Sequence, residues 1–279
     1  MEKFKEIERS LITTYRARIW SKFTKAINEF NLVEPNDKIC VCISGGKDSM
    51  LLAKLFQQLH KHTRIPFDLV FLVMNPGYND KNMHLIENNL KLLNIPAKIV
   101  KTDIFEISNE MEKNPCYICA RMRRGALYRI AKDFNCNKIA LGHHFDDVIE
   151  TTLMNMLNTG SFQTMLPKIK SDNYLDMELI RPMYFIHEKD IITWKNSSQL
   201  NFIECACRLT ENIEQFKDKH SSYRLKTKEL IKDLKSYNPN VEMNIFKSAY
   251  NVNLDKIIGY KTNGKYYFYL DNYNTKNKS

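Results

Sequence analysis

The chain has 279 residues, of which 43% are hydrophobic and 27% are charged, and its formal net charge at pH 7 is +10. This composition is typical of a globular protein that can bury one large core or two smaller ones. No run of about 18 apolar residues occurs, so we expect no membrane-spanning helix. An N-terminus without an apolar segment predicts a cytoplasmic protein. The positive charge favours a polyanionic partner such as nucleic acid, although lysine spread along the whole chain weakens that inference.

Apolar positions at helical spacing predict one helix over residues 1–30, followed by a break at Pro35. Beyond it, apolar runs alternate with amphipathic segments. The predicted strands cover 38–43, 67–74, 97–101, 138–141 and, as an edge strand, 179–182; the predicted helices cover 49–62, 81–93, 123–134, 146–158, 187–200, 221–235 and 241–251. Asn263-Gly264 predicts a small hairpin. The alternation predicts an α/β fold with a doubly wound, mostly parallel sheet, in which ligands bind beyond the carboxyl ends of the strands.

The first motif, Ser-Gly-Gly-Lys-Asp-Ser at 44–49, connects a predicted strand to a predicted helix. Glycine is scarce in the chain, so two adjacent glycines indicate a turn whose backbone N–H groups converge on an anion. Lys47 adds positive charge, Ser44 and Ser49 add hydroxyl donors, and Asp48 could hold a metal ion or a substrate hydroxyl. The spacing differs from the P-loop of NTPases and resembles the pattern of the PP-loop ATP pyrophosphatase superfamily. A plain tight turn is the alternative.

The second motif, Gly-His-His-Phe-Asp-Asp at 142–147, follows the fourth predicted strand. Gly142 would let a nucleotide approach the backbone closely. Asp146 and Asp147 could simply cap the next helix, or they could bind Mg²⁺ and position a nucleotide beside its phosphates. A structural role is the alternative for His143.

The seven cysteines are an odd number in a chain without a secretory signal, which argues against a disulfide framework. Cys40 and Cys42 lie on the first predicted strand, and Cys136 follows a predicted helix. Packing in the core is the expected role of these three thiols. The other four cysteines form two close pairs.

Cys116 and Cys119 form the first pair, beside the arginines of Arg121-Met-Arg-Arg124 at the start of a helix. The helix dipole and these cations favour the thiolate form, which can ligate metal or carry persulfide sulfur. The second pair, Cys205 and Cys207, has a C-x-C spacing that suits a four-ligand zinc site poorly. Three cysteines with one open position suit an iron–sulfur cluster. An incidental dithiol is the alternative.

With these motifs in this order, the chain resembles the TtcA family of tRNA 2-thiocytidine synthetases over about residues 10–250. The resemblance implies that a PP-loop domain uses ATP and Mg²⁺ to adenylate the C2 oxygen of cytidine 32 in the tRNA anticodon loop. Sulfur delivered through a [4Fe-4S] cluster would then displace AMP. The resemblance also implies a cysteine desulfurase or another sulfur donor as a partner, and it allows a homodimer.

The resemblance assigns the site residues by motif. The implied ATP contacts are Ser44, Gly45, Gly46, Lys47, Asp48, Ser49, Met74, Arg123, Gly142 and Asp147, with Lys47, Asp48 and Asp147 as catalytic residues. The implied cluster ligands are Cys116, Cys119 and one cysteine of the late pair. Well-known members have C-x-x-C at the late position, where this chain has Cys205-Ala-Cys207; the preceding Phe-Ile-Glu favours Cys205 and leaves Cys207 as the alternative. Since sulfur must reach the activated carbon, Cys119 and Ser44 are predicted to line one cleft.

The same interpretation divides the chain into a helical segment (1–34), an ATP-binding α/β domain (35–185), a part with the late cysteines (186–258), and a hairpin with a tail (259–279).

Three alternative functions share parts of this pattern of motifs. A lysidine synthetase shares the loop but needs no paired cysteines. A uridine 54 thiolase shares the ATP and cluster chemistry but usually carries zinc-ribbon cysteine pairs, which this chain lacks; uridine 2-thiolation therefore stays open. A non-catalytic RNA-binding or redox-sensing protein would not need Lys47, Asp48 and Asp147.

Overall fold

The computed structural model describes residues 2–110, 115–203, 219–271 and 273. The strands are β1 (Lys38–Ile43), β2 (Asp68–Asn75), β3 (Ala97–Lys101), β4 (Lys138–Ala140), β5 (Lys168–Lys170), β6 (Glu178–Ile180), β7 (Gly259–Thr262) and β8 (Lys265–Phe268). The helices are α1 (Lys3–Ile12), α2 (Ser21–Glu29), α3 (Lys47–His62), α4 (Asp80–Leu92), α5 (Ile104–Asn109), α6 (Pro115–Asp133), α7 (Phe145–Thr159), α8 (Glu188–Ser198), α9 (Lys219–Tyr237) and α10 (Val241–Ser248). A π-helical turn covers Arg16–Trp20 and a 3-10 turn covers Leu254–Lys256.

The main sheet has the strand order β3-β2-β1-β4-β6-β5. Five strands of this sheet run parallel, namely β3, β2, β1, β4 and β6. The sixth, β5, runs antiparallel to β6. The chain extends the sheet from β1 in one direction through β2 and β3, and in the other direction through β4. The prediction of a doubly wound, mostly parallel sheet is confirmed. The crevice beyond the carboxyl ends of β1 and β4, where the direction reverses, is the expected ligand site of such a fold.

Side chains of β1 enter hydrophobic clusters on both faces of the sheet. Ile39, Val41 and Ile43 belong to the larger cluster, whereas Cys40 and Cys42 belong to the smaller one. This double burial explains why the strand reads as a continuous apolar run. Cys136 is buried in the smaller cluster too, so the predicted packing role of these three cysteines is confirmed.

The predicted edge position of residues 179–182 is wrong, because β6 lies between β4 and β5. The edge strand is β5, which pairs with β6 from Lys168↔Ile180 to Lys170↔Glu178. Its sequence, Lys-Ile-Lys, is too short for a periodicity signal. Only the antiparallel pairing in the folded chain identifies β5 as a strand.

The predicted single helix over residues 1–30 is also wrong, because it is divided into α1, the π-helical turn and α2. At the end of α1 the Thr13 hydroxyl donates to the Arg9 carbonyl at 2.8 Å, a local bond that competes with helix continuation. The phenol of Tyr15 donates to Ser197 Oγ at 2.7 Å, which ties the break to α8. Helix α6 begins at Pro115 rather than at 123, since proline suits the first turn of a helix.

The predicted hairpin is confirmed as β7 and β8, joined by Asn263 and Gly264 with φ of 49° and 74°. Within the described ranges, no helix combines the length and apolarity needed to cross a membrane.

Candidate active site

The loop between β1 and α3 folds into a tight turn at Gly45, whose φ is +88°, a backbone region that favours glycine. The Ser44 N–H donates to Ser49 Oγ at 3.1 Å, and the Ser49 hydroxyl donates to the Gly46 carbonyl at 2.9 Å. Gly46 precedes α3 as its N-cap and has no side chain. The first N–H groups of α3 therefore have no cap from this position, and their partial positive charge suits a phosphate.

The second motif packs directly against this loop. A Cβ atom at Gly142 would lie 3.2 Å from the backbone of both Asp48 and Ser49, so glycine is what lets the end of β4 approach α3. His144 caps α7, and its N–H donates to Asp147 Oδ2 at 2.9 Å. Capping of the helix, which was the alternative role for the aspartates, is thus observed for Asp147 Oδ2, while Asp147 Oδ1 contacts Arg224.

Two cavities, of about 570 and 320 Å³, meet at the loop. Ser44, Asp48 and Arg123 line both of them. The larger cavity is also lined by Gly46, Lys47, Tyr78, Lys195 and Ile203, and the smaller one by Ser49, Met74, Leu127, Gly142, His143 and Asp147. The structure therefore brings every predicted ATP contact to one place except Gly45, which faces Ile86 and Ile203.

The pKa values of the two histidines in the second motif are shifted in opposite directions. Burial lowers the pKa of His143 to about 4, and Arg181 and Arg224 act in the same direction, so this imidazole is neutral at pH 7. Burial would also lower the pKa of His144, but the carboxylates around it, led by Asp146, raise it on balance. Nδ1 of His144 lies 3.6 Å from Asp146 and Nε2 lies 3.6 Å from Asp147. A neutral His143 is thus adjacent to His144, whose protonated form is favoured more than in a free imidazole.

The cavities also contain buried polar atoms that are not hydrogen-bonded to the described residues. Among the described residues, Asp48 Oδ1 and His143 Nδ1 have no hydrogen-bond partner. Buried polar groups in folded proteins are normally satisfied, so these atoms indicate a polar ligand. The glycine cradle, the cations of Lys47 and Arg123, and these atoms fit a nucleotide with its phosphates.

Asp48 and Asp147 both line the smaller cavity, and each carries a carboxylate that could bind Mg²⁺. Within the described ranges, no group of three or more metal-binding side chains is found. Mg²⁺ does not require such a group, because it is usually held by one or two carboxylates, substrate phosphates and water. The two aspartates fit that mode of binding.

Helix α9 covers the site from the side of the aspartates. The guanidinium of Arg224 contacts Asp147, and its Nε donates to Glu150 Oε2 at 2.8 Å. Burial raises the pKa of Asp147, but His144 and Arg224 outweigh that effect and lower it. A cavity of about 460 Å³ lies between α9 and the loop.

A second set of ion pairs, centred on Glu188, also links α9 to the loop. Glu188 lies 3.4 Å from Lys47 Nζ and 2.5 Å from Lys228 Nζ. Sequence reasoning missed Glu188, Arg224 and Lys228. Residues 221–235 read only as a strongly charged helix, and no local pattern distinguishes its inward cations from its solvated ones.

Cys119 lies half-buried on α6, one helical turn before Arg123. Cys119 packs against the larger hydrophobic cluster, which contains Tyr78, and Tyr78 and Arg123 both line the larger cavity. Burial raises the pKa of Tyr78, with Arg123 opposing the shift and Cys119 adding to it. The Tyr78 hydroxyl donates to the Ser44 carbonyl at 3.3 Å. Cys119 approaches the cleft through Tyr78 but lines neither cavity, so its predicted shared lining with Ser44 is not found.

The side chains of the other predicted cluster ligands lie outside the described part of the structure. Cys205 and Cys207 lie outside the described residues, and only the backbone of Cys116, in the first turn of α6, is described. Ile203, the last described residue before the late cysteines, lies beside the loop. Its N–H donates to the Gly45 carbonyl at 3.3 Å.

Comparisons with known proteins agree with this geometry. The model of the PP-loop domain, ATP_bind_3, matches residues 16–214. The tRNA-cytidine(32) 2-sulfurtransferase of Geotalea uraniireducens (strain Rf4) is 36% identical over 238 residues, covering 84% of this chain and 91% of that protein. The Ralstonia pickettii (strain 12J) protein of the same name is 36% identical over 242 residues, covering 84% of this chain and 73% of that protein.

Among solved structures, the U34-tRNA thiolase NcsA from Methanococcus maripaludis, determined with its [4Fe-4S] cluster, superposes with a TM-score of 0.63. The match covers 82% of this chain and 76% of the thiolase, at 21% sequence identity. At that identity the likeness establishes a shared fold.

Proposed function

The chain belongs to the PP-loop family and, within it, to the tRNA-cytidine(32) 2-sulfurtransferases, and from this we propose that it uses ATP to replace the C2 oxygen of a tRNA cytidine with sulfur. The observation that carries the proposal is the meeting of both motifs and Arg123 at one pair of cavities. The nucleotide would occupy the smaller cavity, between Met74 and Gly142, and the target base would enter through the larger one.

The first step is activation of the base. The C2 carbonyl oxygen attacks the α-phosphorus of ATP, and pyrophosphate leaves onto the glycine turn. Lys47 and the N-terminus of α3 would stabilise the negative charge that develops on the phosphates. Asp48 and Asp147 would hold Mg²⁺, which would supply further charge neutralisation.

The second step is substitution at the activated carbon. A sulfur nucleophile at the oxidation level of sulfide adds to C2, and AMP leaves with the oxygen. Cys116, Cys119 and Cys205, with Cys207 as the alternative, would hold a [4Fe-4S] cluster, which would present sulfur from an open coordination position. Two features support this placement. Cys119 packs against the hydrophobic cluster that contains Tyr78, and Cys205 follows Ile203 by two residues, a span that reaches at most about 7 Å.

The sulfur consumed in each turnover has to be replaced. The proposal therefore includes a donor, such as a cysteine desulfurase, that delivers sulfur to the site.

Mass spectrometry of tRNA nucleosides from a deletion strain, with and without the restored gene, tests the proposal. Loss of 2-thiocytidine that the restored gene reverses is the expected result. Loss of a 2-thiouridine would move the substrate to uridine, and loss of lysidine would favour lysidine synthesis. Unchanged nucleosides would contradict thiolation.

A further inference from the structure

A further cavity, of about 580 Å³, lies along a different face of α6 from the smaller cavity that is proposed for the nucleotide and called the nucleotide cavity below. We call it the α6 groove, and define it by Tyr117, Arg121, Arg124 and Gly125 of α6 with Lys170 and Arg181 from the β5–β6 region. The α6 members recur at helical spacing, so they form one face of the helix. Arg123 and Leu127 lie on another face and line the nucleotide cavity.

The α6 groove is strongly basic. Four cations, Arg121, Arg124, Lys170 and Arg181, face a single lining carboxylate, Asp172. In the described part of the chain, none of the four cations lies within 4 Å of a carboxylate oxygen. Such an excess of positive charge in a concave surface suits a phosphate group.

Arg181 forms the floor of the groove and is the most informative of these cations. The residue is only 7% exposed, and its Nε has no hydrogen-bond partner among the described residues. One terminal nitrogen of the guanidinium donates to the Leu166 carbonyl. The guanidinium is therefore held in place while its Nε–H stays available as a donor. Burial and the neighbouring Arg124 lower the pKa of Arg181 to about 10. A buried cation beside another cation is costly, and an anion bound between them would relieve the cost.

Gly125 points to a ligand by a different route. It lies in the interior of α6, where glycine is unfavourable, yet a Cβ atom there would meet nothing within 4 Å. Packing within the protein therefore does not require this glycine. It leaves the helix backbone open to close approach from the groove.

Aromatic rings stand beside the cations. Tyr117 is 64% exposed at one end of the groove. Tyr128 of α6 and Tyr174 also line the groove, and their rings stack with centroids 5.4 Å apart and planes 9° apart. Arginine forks and an exposed aromatic ring are the usual receptors for the phosphates and bases of single-stranded RNA.

The groove adjoins the active site through its floor. Arg181 directly follows Ile180 of β6, whose carbonyl accepts from the Leu141 N–H at 3.0 Å, and Leu141 lines the smaller cavity. The positive charge of Arg181 also adds to the burial that lowers the pKa of His143, which lines the same cavity. A strand that lies in the groove would thus pass beside the nucleotide cavity.

We propose that the α6 groove binds the single-stranded RNA that flanks the modified base, with a backbone phosphate on Arg124 and Arg181 and an unpaired base on Tyr117. This inference rests on the proposed function, since it takes tRNA as the substrate. It adds a site for the loop nucleotides that is separate from the ATP cavity.

Affinity for a labelled tRNA anticodon stem–loop, measured by fluorescence anisotropy at several salt concentrations, tests the groove. Arg124→Gln should weaken binding about tenfold and reduce the salt slope by about 0.7, the value for one phosphate of a single strand. Arg129→Gln is the matched control, because Arg129 is exposed on α6 and does not line the groove. Affinity for ATP, measured separately, should be the same in all three proteins.

Gly125→Leu separates obstruction from misfolding. The substitution replaces a helix-breaking residue where space is open, so the thermal midpoint should rise by about 2 °C. RNA affinity should nevertheless fall at least tenfold, because the side chain would fill the groove.

The outcomes distinguish the two levels of inference. Wild-type protein that thiolates tRNA while Arg124→Gln and Gly125→Leu bind RNA normally would overturn the groove and leave the proposed function intact. Wild-type protein that neither binds nor thiolates tRNA would overturn both. Normal RNA affinity with slowed transfer from a protein sulfur donor would assign the groove to that protein and overturn its RNA role.

Discussion

The Arg224 guanidinium of α9 bridges Asp147 and Glu150, two carboxylates of α7 that are only 8% and 5% exposed. A helix distant in sequence therefore neutralises a proposed catalytic group. Two buried carboxylates one turn apart on a helix would repel each other without this cation. The bridge explains how the site keeps Asp147 ionised before substrate binds.

Arg224→Ala should lower the free energy of unfolding by about 1–3 kcal/mol, because it leaves both carboxylates without their partner while water reaches the half-exposed position. Urea unfolding measures the change. Lys226→Ala, an exposed position on the same helix, should stay within about 0.5 kcal/mol of wild type. Equal losses in both variants would contradict the bridge.

Asp147→Asn should reduce AMP formation with tRNA at least a hundredfold, because the amide still accepts from the His144 N–H but has no charge for Mg²⁺. The assay is release of AMP under saturating ATP. Asp80→Asn, at an exposed first-turn position of α4, is the control and should retain wild-type turnover. An active Asp147→Asn enzyme would remove this residue from the mechanism.

Gly142→Ala should raise the KM for ATP about tenfold or more, since the added Cβ atom would press on the backbone of Asp48 and Ser49 at 3.2 Å. Steady-state kinetics with ATP as the varied substrate show the effect. A small change in the melting temperature would place the defect in the loop rather than in the fold. An unchanged KM would mean that the loop yields without affecting the nucleotide.

Cys119→Ser should abolish sulfur transfer and lower the iron content of anaerobically purified protein, while ATP binding persists. Iron analysis and the visible absorbance of the cluster are the measurements. Cys136→Ser is the control, because Cys136 is buried in the core against Cys40, and it should retain iron. Iron retained in Cys119→Ser at the wild-type level would exclude Cys119 as a ligand.

Glu34→Gln should destabilise the protein at pH 7, with a penalty that shrinks in acid. Hydrogen bonds from Lys138 and Lys168 lower the pKa of Glu34 from 4.5 to about 2. A carboxyl with a depressed folded-state pKa stabilises the fold above pH 4.5, and that contribution is lost as the pH falls towards 2. Urea unfolding between pH 3 and 7 measures it. Glu106→Gln, at an exposed position, should show no such convergence with wild type.

Local patterns in the sequence determined the class of the fold and the two motifs of the site. The apolar run of β1, followed by Gly45 and Gly46, can form little other than a strand, a turn and a helix that meet at an anion site. The second motif at Gly142 was readable for the same reason. The carboxyl ends of parallel strands share one edge of the sheet, so sequence alone could predict that the motifs meet.

Only the tertiary structure decided what surrounds those motifs. Arg224 reaches Asp147 across 77 residues of sequence, and a charged helix carries no local sign of which cation points inward. The position of Arg181 depends on the chain just before β5, because its N–H donates to the Pro167 carbonyl and its guanidinium to the Leu166 carbonyl. The sequence of β5 is too short to predict that pairing. Periodicity reports the faces of single elements, whereas ion pairs and cavities depend on which faces come together. That is why the glycine turn was visible in the sequence, while the helix that covers it and the groove beside it were not.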